Sequence, residues 1–319
     1  MLVKIRAVLP DFLPVDEIRR RLLQLMPDLD IVNETAAPGR YPLNELEAIA
    51  LTTFSDLTAA DIEQMSALRF VQVSSTGYDR VDMAACRARG IMVSNIPVAN
   101  SKTVAEHVIM LALASLRGLI PVDRELRNGR WTMEMGAREL GGKIFGIVGA
   151  GRIGRELAAR LVPFEVSAVY FDKVPLSEEQ ERTLGLSRVS LDELLEQSDI
   201  VSLHLSLSEE TRGLLGEAQL AKMKPGALLI NTARAELVDT VALARAVGDG
   251  RLLAALDVYP TEPPDFKDPI FRDEHTVFTP HMAGVTQEAQ MRFLQETVKN
   301  VLRFAQGKEP QFRVDTLPE

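Results

Sequence analysis

Short apolar runs alternate along the chain with longer stretches in which apolar residues recur every three or four positions. The runs suit buried strands and the periodic stretches suit amphipathic helices. Their regular alternation predicts a parallel sheet covered by helices, the α/β class. The first block predicts strands near Val3–Leu9, Asp30–Asn33, Ala48–Thr53, Phe70–Ser74 and Ile91–Ser94, with helices at Val15–Leu25, Thr58–Met65 and Val81–Arg89. A second block predicts six strands, at Ile144–Val148, Ala168–Asp172, Ile200–His204, Ala227–Asn231, Leu253–Asp257 and Thr276–Phe278, enough for a full dinucleotide-binding unit. Between the blocks, Val104, Val108, Leu111 and Ser115 keep helical spacing behind Ser101, a good N-cap, so Ser101–Leu119 predicts a long helix connecting two domains. Gln287–Gln306 predicts a last helix that returns to brace the first domain. Pro260–Pro269 reads as a loop and Thr316–Glu319 as a frayed end.

Composition narrows this picture. The 319 residues suit two domains, each able to bury a core. At 46% hydrophobic and 25% charged, the balance is that of a globular protein. The longest apolar run, Val108 to Leu116, falls short of the roughly 20 residues of a membrane span. The opening MLVKIRAVLP carries charges in its only apolar stretch and lacks a cleavage-like site, so a cytoplasmic protein with no membrane partner is expected. Cys86 has no partner for an internal disulfide, and the four histidines form no cluster at zinc-ligand spacing, so no metal is expected. Cys86 itself, on the predicted helix in ACRARG, reads as a packing residue rather than a reactive thiol. A net charge of −9 and a pI near 5.2 argue against a nucleic-acid partner.

The first chemical signal lies in KIFGIVGAGRIG, a predicted strand running into Gly149, Gly151 and Gly154 and then into a helix. The first glycine allows the tight turn, the second lets the backbone approach a pyrophosphate, and the third lets helix and strand pack closely. Amides at the helix start then hold the anion. The following strand, AVYFD, ends in Asp172, 18 residues beyond Gly154 and placed to accept both ribose hydroxyls; capping a turn is its alternative role. An acidic side chain there repels a 2′-phosphate, which favours NAD over NADP. Because this loop follows the first block, the substrate domain comes first.

Three polar residues follow later strands, where open sheets bind ligands: Arg234 in INTARAELVD, Glu262 in LDVYPTEPP and His281 in TPHMAG. A 2-oxo acid needs a cation on its carboxylate and a donor to the carbonyl oxygen that becomes an alcohol. Arginine's planar fork suits the first task and also polarises a carbonyl. An imidazole suits the second, and a neighbouring carboxylate such as Glu262 raises an imidazole's basicity and orients its ring. Taken singly, each has a duller role open to it, as a surface ion pair, a solvated loop charge, and a turn or core residue.

The stretches SSTGYDRVDMAACRARGI, VAEH, GIVGAGRIG, MKPGALLINTARAELVD, AALDVYPTEP and TPHMAGVTQEA together resemble the NAD-dependent D-isomer-specific 2-hydroxyacid dehydrogenases, in that family's order and over most of Ser74 to Ala289. TPHMAGVTQEAQ and DVYPTEP look most like the phosphoglycerate dehydrogenase branch. The resemblance implies two doubly wound parallel-sheet domains. A flavodoxin-like substrate-binding domain takes 1–99 plus 286–319, and a Rossmann NAD-binding domain takes 100–285. It implies a homodimer built through the NAD-binding domains, and a small 2-oxo or 2-hydroxy acid as substrate, with Arg234, Glu262 and His281 catalytic. It further implies that NAD meets Gly149, Gly151, Arg152, Ile153, Gly154, Asp172, His204, Thr232, Ala233, Asp257, Gly284 and Thr103. Amides of Ser75, Thr76 and Gly77 would receive the substrate carboxylate, with Asn100 nearby.

Two departures matter. Ser206 stands where the family usually has proline after His204, which affects local loop shape. In ALTTFSDLT, Thr52 and Phe54 stand where the phosphoglycerate branch resembles R-x-R, so a phosphate dianion lacks its expected cations and Phe54 points to an uncharged or partly apolar substituent. The alternative is that Phe54 packs in the core and Lys102 or Arg80 charges the pocket. At 319 residues, the regulatory domain that many phosphoglycerate enzymes append is not expected. D-3-phosphoglycerate dehydrogenase and a non-catalytic NAD-sensing corepressor-like protein remain the rival readings. A formate dehydrogenase fits less well, because that branch resembles Gln–His where this chain has Glu–His. Trp131, in NGRWTMEMG, is open to shielding the active site or to dimer or core packing.

Overall fold

Every named strand among the described residues pairs in parallel, as expected where apolar runs are covered on both faces. The computed structural model describes residues 3–9, 19–20, 23–24, 26–33, 39–52, 54–133 and 136–316. The chain divides into two compact units, Met1–Asn100 with Thr286–Glu319, and Ser101–Val285.

The first unit carries a five-stranded sheet of β1 (Ile5–Leu9), β2 (Asp30–Asn33), β3 (Ala48–Leu51), β4 (Phe70–Val73) and β5 (Met92–Ser94), in the order β2-β1-β3-β4-β5. That is the flavodoxin-like order. One face is covered through Leu46, Ile62, Met65 and Cys86. The other is covered by the helix Gln287–Ala305, whose Val298, Val301 and Phe304 join Ile5, Ala7 and Phe70; the Phe70 and Phe304 rings lie 5.1 Å apart. The tail does not fray at once. Ser94 and Arg313 form an antiparallel bridge, and Val314 donates to the Val93 carbonyl, so 313–314 add a short edge beside β5. Cys86 is fully buried on the helix Met83–Ala88, and burial, aided by the Asp82 charge, pushes its thiol up to about 11. The helix expected at Val15–Leu25 lies outside the described residues except for 19–20 and 23–24, which are helical.

The second unit carries seven strands rather than six: β6 (Ile144–Val148), β7 (Ser167–Phe171), β8 (Leu186–Arg188), β9 (Ile200–Leu203), β10 (Ala227–Asn231), β11 (Leu252–Leu256) and β12 (Val277–Phe278). Their order is β12-β11-β10-β9-β6-β7-β8, the Rossmann order extended by one strand, with its reversal between β6 and β9. The helix expected to run to Leu119 stops at Leu116. Gly118 takes a left-handed conformation, φ 58°, and a new helix runs Leu119–Arg127. Ser101, read as an N-cap, is instead the first helical residue. Rather than serving as a bare connector, the helix Ser101–Leu116 is built into this unit's core, where Val104, Val108 and Leu111 pack with Phe145, Ile147, Leu157 and Tyr170. No single helix among the described residues is long and apolar enough to cross a membrane.

Candidate active site

In parallel sheets every strand delivers its next residues to the same edge, so the loops after β6, β7, β9, β10, β11 and β12 gather at one carboxyl edge. At the reversal point, Gly149 has φ 103°, and a Cβ there would lie 2.9 Å from the His204 carbonyl carbon. The first glycine therefore serves both a left-handed turn and a close approach between two loops. A Cβ on Gly154 would sit 2.2 Å from the Gly149 carbonyl oxygen, so the third serves packing. Gly151 is different: a Cβ on it meets nothing within 4 Å, and its φ of −68° is open to any residue. Nothing among the described residues requires a glycine there. The helix Arg152–Leu161 that follows has no side-chain cap, which leaves its first amides for an incoming anion. Arg152 and Ile153 form its first turn, Arg152 exposed and Ile153 half-buried.

This contrast yields a prediction. Gly154→Ala is expected to destabilise the fold by about 3 kcal/mol through backbone overpacking. Gly151→Ala is expected to leave the melting temperature unchanged while weakening NADH binding at least about 10-fold, because the new methyl fills only ligand space. Melting curves and fluorescence titration separate the two, and a Gly151→Ala protein with full NADH affinity would refute the phosphate-loop reading.

Asp172 is anchored through both oxygens, Oδ2 accepting from the Ala150 N–H at 2.8 Å and Oδ1 from the Val174 N–H at 3.1 Å. It does cap a turn. Each carboxylate oxygen has a second acceptor site, so anchoring the group on the glycine loop leaves it able to accept a ribose hydroxyl. Both ring nitrogens of His204 are sealed from solvent and lack hydrogen-bond partners among the described residues, and burial drives this imidazole down to about 3, neutral at physiological pH. The buried Thr232 Oγ1 is likewise unpartnered. Unpartnered polar atoms at a strand edge fit a group yet to be bound, and with the Gly151 cradle they fit a dinucleotide.

Arg234, Glu262 and His281 follow β10, β11 and β12, three adjacent strands. The His281 Nδ1 lies 2.7 Å from Glu262 Oε2, and both side chains are largely enclosed. Burial pushes the Glu262 carboxyl up, but the His281 contact, the Tyr259 N–H and the Arg234 charge outweigh it, leaving Glu262 below the ordinary carboxylate range. His281 has φ 49°, a left-handed conformation uncommon for a residue with a side chain. The turn is held from Asp257, which is fully buried. Its carbonyl accepts the His281 N–H at 2.8 Å, and its carboxylate accepts the Met282 and Ala283 amides at 2.8 and 2.9 Å. Asp257 thus faces inward to this turn, and Gly284 follows directly, half-buried.

Sequence reasoning missed the residues that set these loops. Asn231, 2% exposed, ties its own loop into shape: Nδ2 donates to the Arg234 carbonyl at 2.7 Å, and Oδ1 accepts from the Ala233 N–H at 3.0 Å. The Tyr259 hydroxyl reaches the Thr279 carbonyl at 3.0 Å. Asn231 stood within the INTAR motif, and its buried amide at a strand end was the signal available.

In the first unit, the loop after β4 carries Ser75, Thr76 and Gly77. The Ser75 hydroxyl donates to the Gly77 carbonyl at 2.9 Å, the Thr76 hydroxyl donates to Asn100 Oδ1 at 2.9 Å, and Asn95 Nδ2 donates to the Thr76 carbonyl at 2.7 Å. The main-chain N–H groups of Ser75, Thr76 and Gly77 have no hydrogen-bond partner among the described residues. Open main-chain donors on a fixed loop are groups able to receive an anion. The neighbouring loop after β3 holds Thr52, whose hydroxyl accepts from the Phe54 N–H at 3.3 Å. Phe54 is half-buried. Arg80 pairs with Asp56, and Lys102 is exposed. Thr103 is buried at the start of the helix Ser101–Leu116 in the second unit.

Comparison with known proteins agrees with this geometry. Residues 109–283 match the model of the D-isomer specific 2-hydroxyacid dehydrogenase NAD-binding domain. A glyoxylate reductase of Korarchaeum cryptofilum is 35% identical over 293 residues, covering 89% of this chain and 88% of that one. A D-3-phosphoglycerate dehydrogenase of Archaeoglobus fulgidus is 36% identical over 264 residues, 82% of this chain but 50% of its own, so the chain spans about half of that relative. The D-lactate dehydrogenase of Aquifex aeolicus, solved with NAD and lactic acid, superposes with a TM-score of 0.87 at 28% identity, covering 95% of this chain and 96% of that one.

Proposed function

Because the chain belongs to the D-isomer-specific 2-hydroxyacid dehydrogenases, an NAD-dependent oxidoreductase family, we propose that it interconverts a small 2-oxo acid with an uncharged substituent and its 2-hydroxy acid, with glyoxylate and hydroxypyruvate as the substrate class. The observation that carries the chemistry is the enclosed 2.7 Å contact between His281 and Glu262, made between the loops after β12 and β11, next to the loop after β10 that carries Arg234.

The glycine loop, Asp172 and His204 would hold NAD(H), which would supply or accept the hydride when bound. An ionised carboxylate only accepts hydrogen bonds, so Glu262 holds a proton on His281 Nδ1 and leaves Nε2 as the atom that gives or takes the substrate's proton. Arg234 grips the acid and polarises its carbonyl through a planar fork. The amides of Ser75, Thr76 and Gly77 receive the substrate carboxylate, and Thr103, Thr232, Ala233 and Gly284 line the nicotinamide end, whereas Asp257, fully buried and engaged by the 281–283 turn, sits behind it. In this reading the first unit is the substrate-binding domain, Asn100 fixing its cradle through Thr76. With Thr52 and Phe54 in place of cations, the pocket disfavours a phosphate dianion.

Steady-state NADH oxidation with 3-phosphohydroxypyruvate, hydroxypyruvate, glyoxylate, pyruvate and branched oxo acids tests this. The unphosphorylated C2 and C3 acids are expected to give the highest kcat/KM. A clear win for phosphohydroxypyruvate would refute the Phe54 argument, and no turnover with any acid would favour an NAD-sensing binding protein. We further propose a homodimer through the second unit, where Met110, Leu119, Ile120, Leu126, Trp131 and Met133 are exposed. A monomer mass in sedimentation would exclude it.

A further inference from the structure

His107, in the VAEH stretch, is a mostly enclosed imidazole that the proposed chemistry does not use. Its Nε2 lies 3.1 Å from Thr279 Oγ1, and that hydroxyl lies 2.6 Å from Asp257 Oδ1. The direct His107–Asp257 separation is 3.8 Å, so the threonine is the link between them. A hydroxyl has one proton and a carboxylate takes only donors, so Thr279 donates to Asp257. The atom facing the remaining Thr279 lone pairs must then carry a proton, which places one on His107 Nε2. Burial works against the imidazolium and lowers the basicity of His107, although the Asp257 charge pulls the other way. A neutral ring in the Nε2–H form satisfies both demands.

The far end of this chain is the turn that presents the acid–base histidine. Three successive amides, those of His281, Met282 and Ala283, end on Asp257, and the first belongs to a residue held at φ 49°. A left-handed backbone at a residue with a side chain persists only where its surroundings over-determine it. Asp257 provides that constraint through three amides, and its carboxylate is oriented by Thr279.

We propose that His107 is a positioning residue: through Thr279 it orients the Asp257 carboxylate and thereby the 281–283 turn, with no contact of its own to substrate. The inference rests on the dehydrogenase reading for its kinetic consequences but not for its hydrogen-bond order.

Two measurements test it. Side-chain ¹⁵N NMR of the full-length protein, histidine-labelled, is expected to show His107 as the neutral Nε2–H tautomer; the Nδ1–H tautomer overturns the proposal. In kinetics, His107→Phe and Thr279→Val are each expected to lower kcat about 10-fold with the NADH KM within about twofold of wild type. The double variant should be no slower than Thr279→Val alone, because both break one chain. His107→Gln, whose amide can place an N–H near the lost Nε2, should recover most of the loss. Additive losses, or a glutamine variant as slow as the phenylalanine one, would overturn it. Should the wild type turn over no oxo acid, the proposed function fails while the tautomer still decides this inference.

Discussion

Replacing His281 with alanine is expected to lower kcat by about three orders of magnitude while NADH binding stays within about twofold of wild type. The size follows from what the ring does. Its Nδ1 is held by Glu262 Oε2 at 2.7 Å, so in the proposed chemistry Nε2 is the position that exchanges a proton with the substrate oxygen. No neighbour can substitute: Glu262 is held ionised below the usual range, Arg234 does not release its proton, and the Tyr259 phenol is pushed up to about 12 by burial and by the Asp257 and Glu262 charges. In the proposed function the dinucleotide is held elsewhere, by the glycine loop and Asp172, so its affinity should survive. Steady-state rates with glyoxylate and NADH fluorescence titration check both halves. A variant retaining more than a tenth of wild-type turnover would remove His281 from the mechanism.

Arg234→Lys is expected to raise the KM for the oxo acid roughly 30-fold and to lower kcat roughly 10-fold. The charge remains, but the planar fork that matches a carboxylate and its neighbouring carbonyl becomes a single ammonium. The Arg234 backbone should stay in place, because Asn231 Nδ2 grips its carbonyl at 2.7 Å whatever the side chain. A loss of activity should therefore come with an unchanged melting temperature. If kcat/KM for the lysine variant lies within threefold of wild type, Arg234 serves as bulk positive charge and the bidentate grip is wrong.

The strands were legible where burial on both faces writes itself as a continuous apolar run. IFGIV at Ile144–Val148 and ALLIN at Ala227–Asn231 occupy the positions that pattern predicts. β8 was not legible, because an edge strand of three residues, LSR, with two exposed has neither a run nor an alternation. The helix Leu119–Arg127 was hidden by Gly118 and Pro121, which read as an end when they mark a bend and a new start. In the site, glycine spacing and the Arg, Glu and His stretches could be seen because each motif is local. Thr279 and His107 could not be joined: they are 172 positions apart, and only the packing of Ser101–Leu116 within the second unit brings them to 3.1 Å. Likewise, the inward-facing Asp257 and the three open amides at 75–77 are properties of loop shape, which residue type does not disclose.

The left-handed backbone at His281 sets two pressures against each other. Glycine takes φ 49° without strain, and asparagine does so more readily than most residues, yet neither carries an imidazole. A library sorted for heat resistance alone should therefore enrich inactive replacements at this position, and one sorted for turnover should restore histidine at some expense in melting temperature. The site is a point where evolvability and durability pull apart, and stabilising programmes on this protein would do well to hold residue 281 constant.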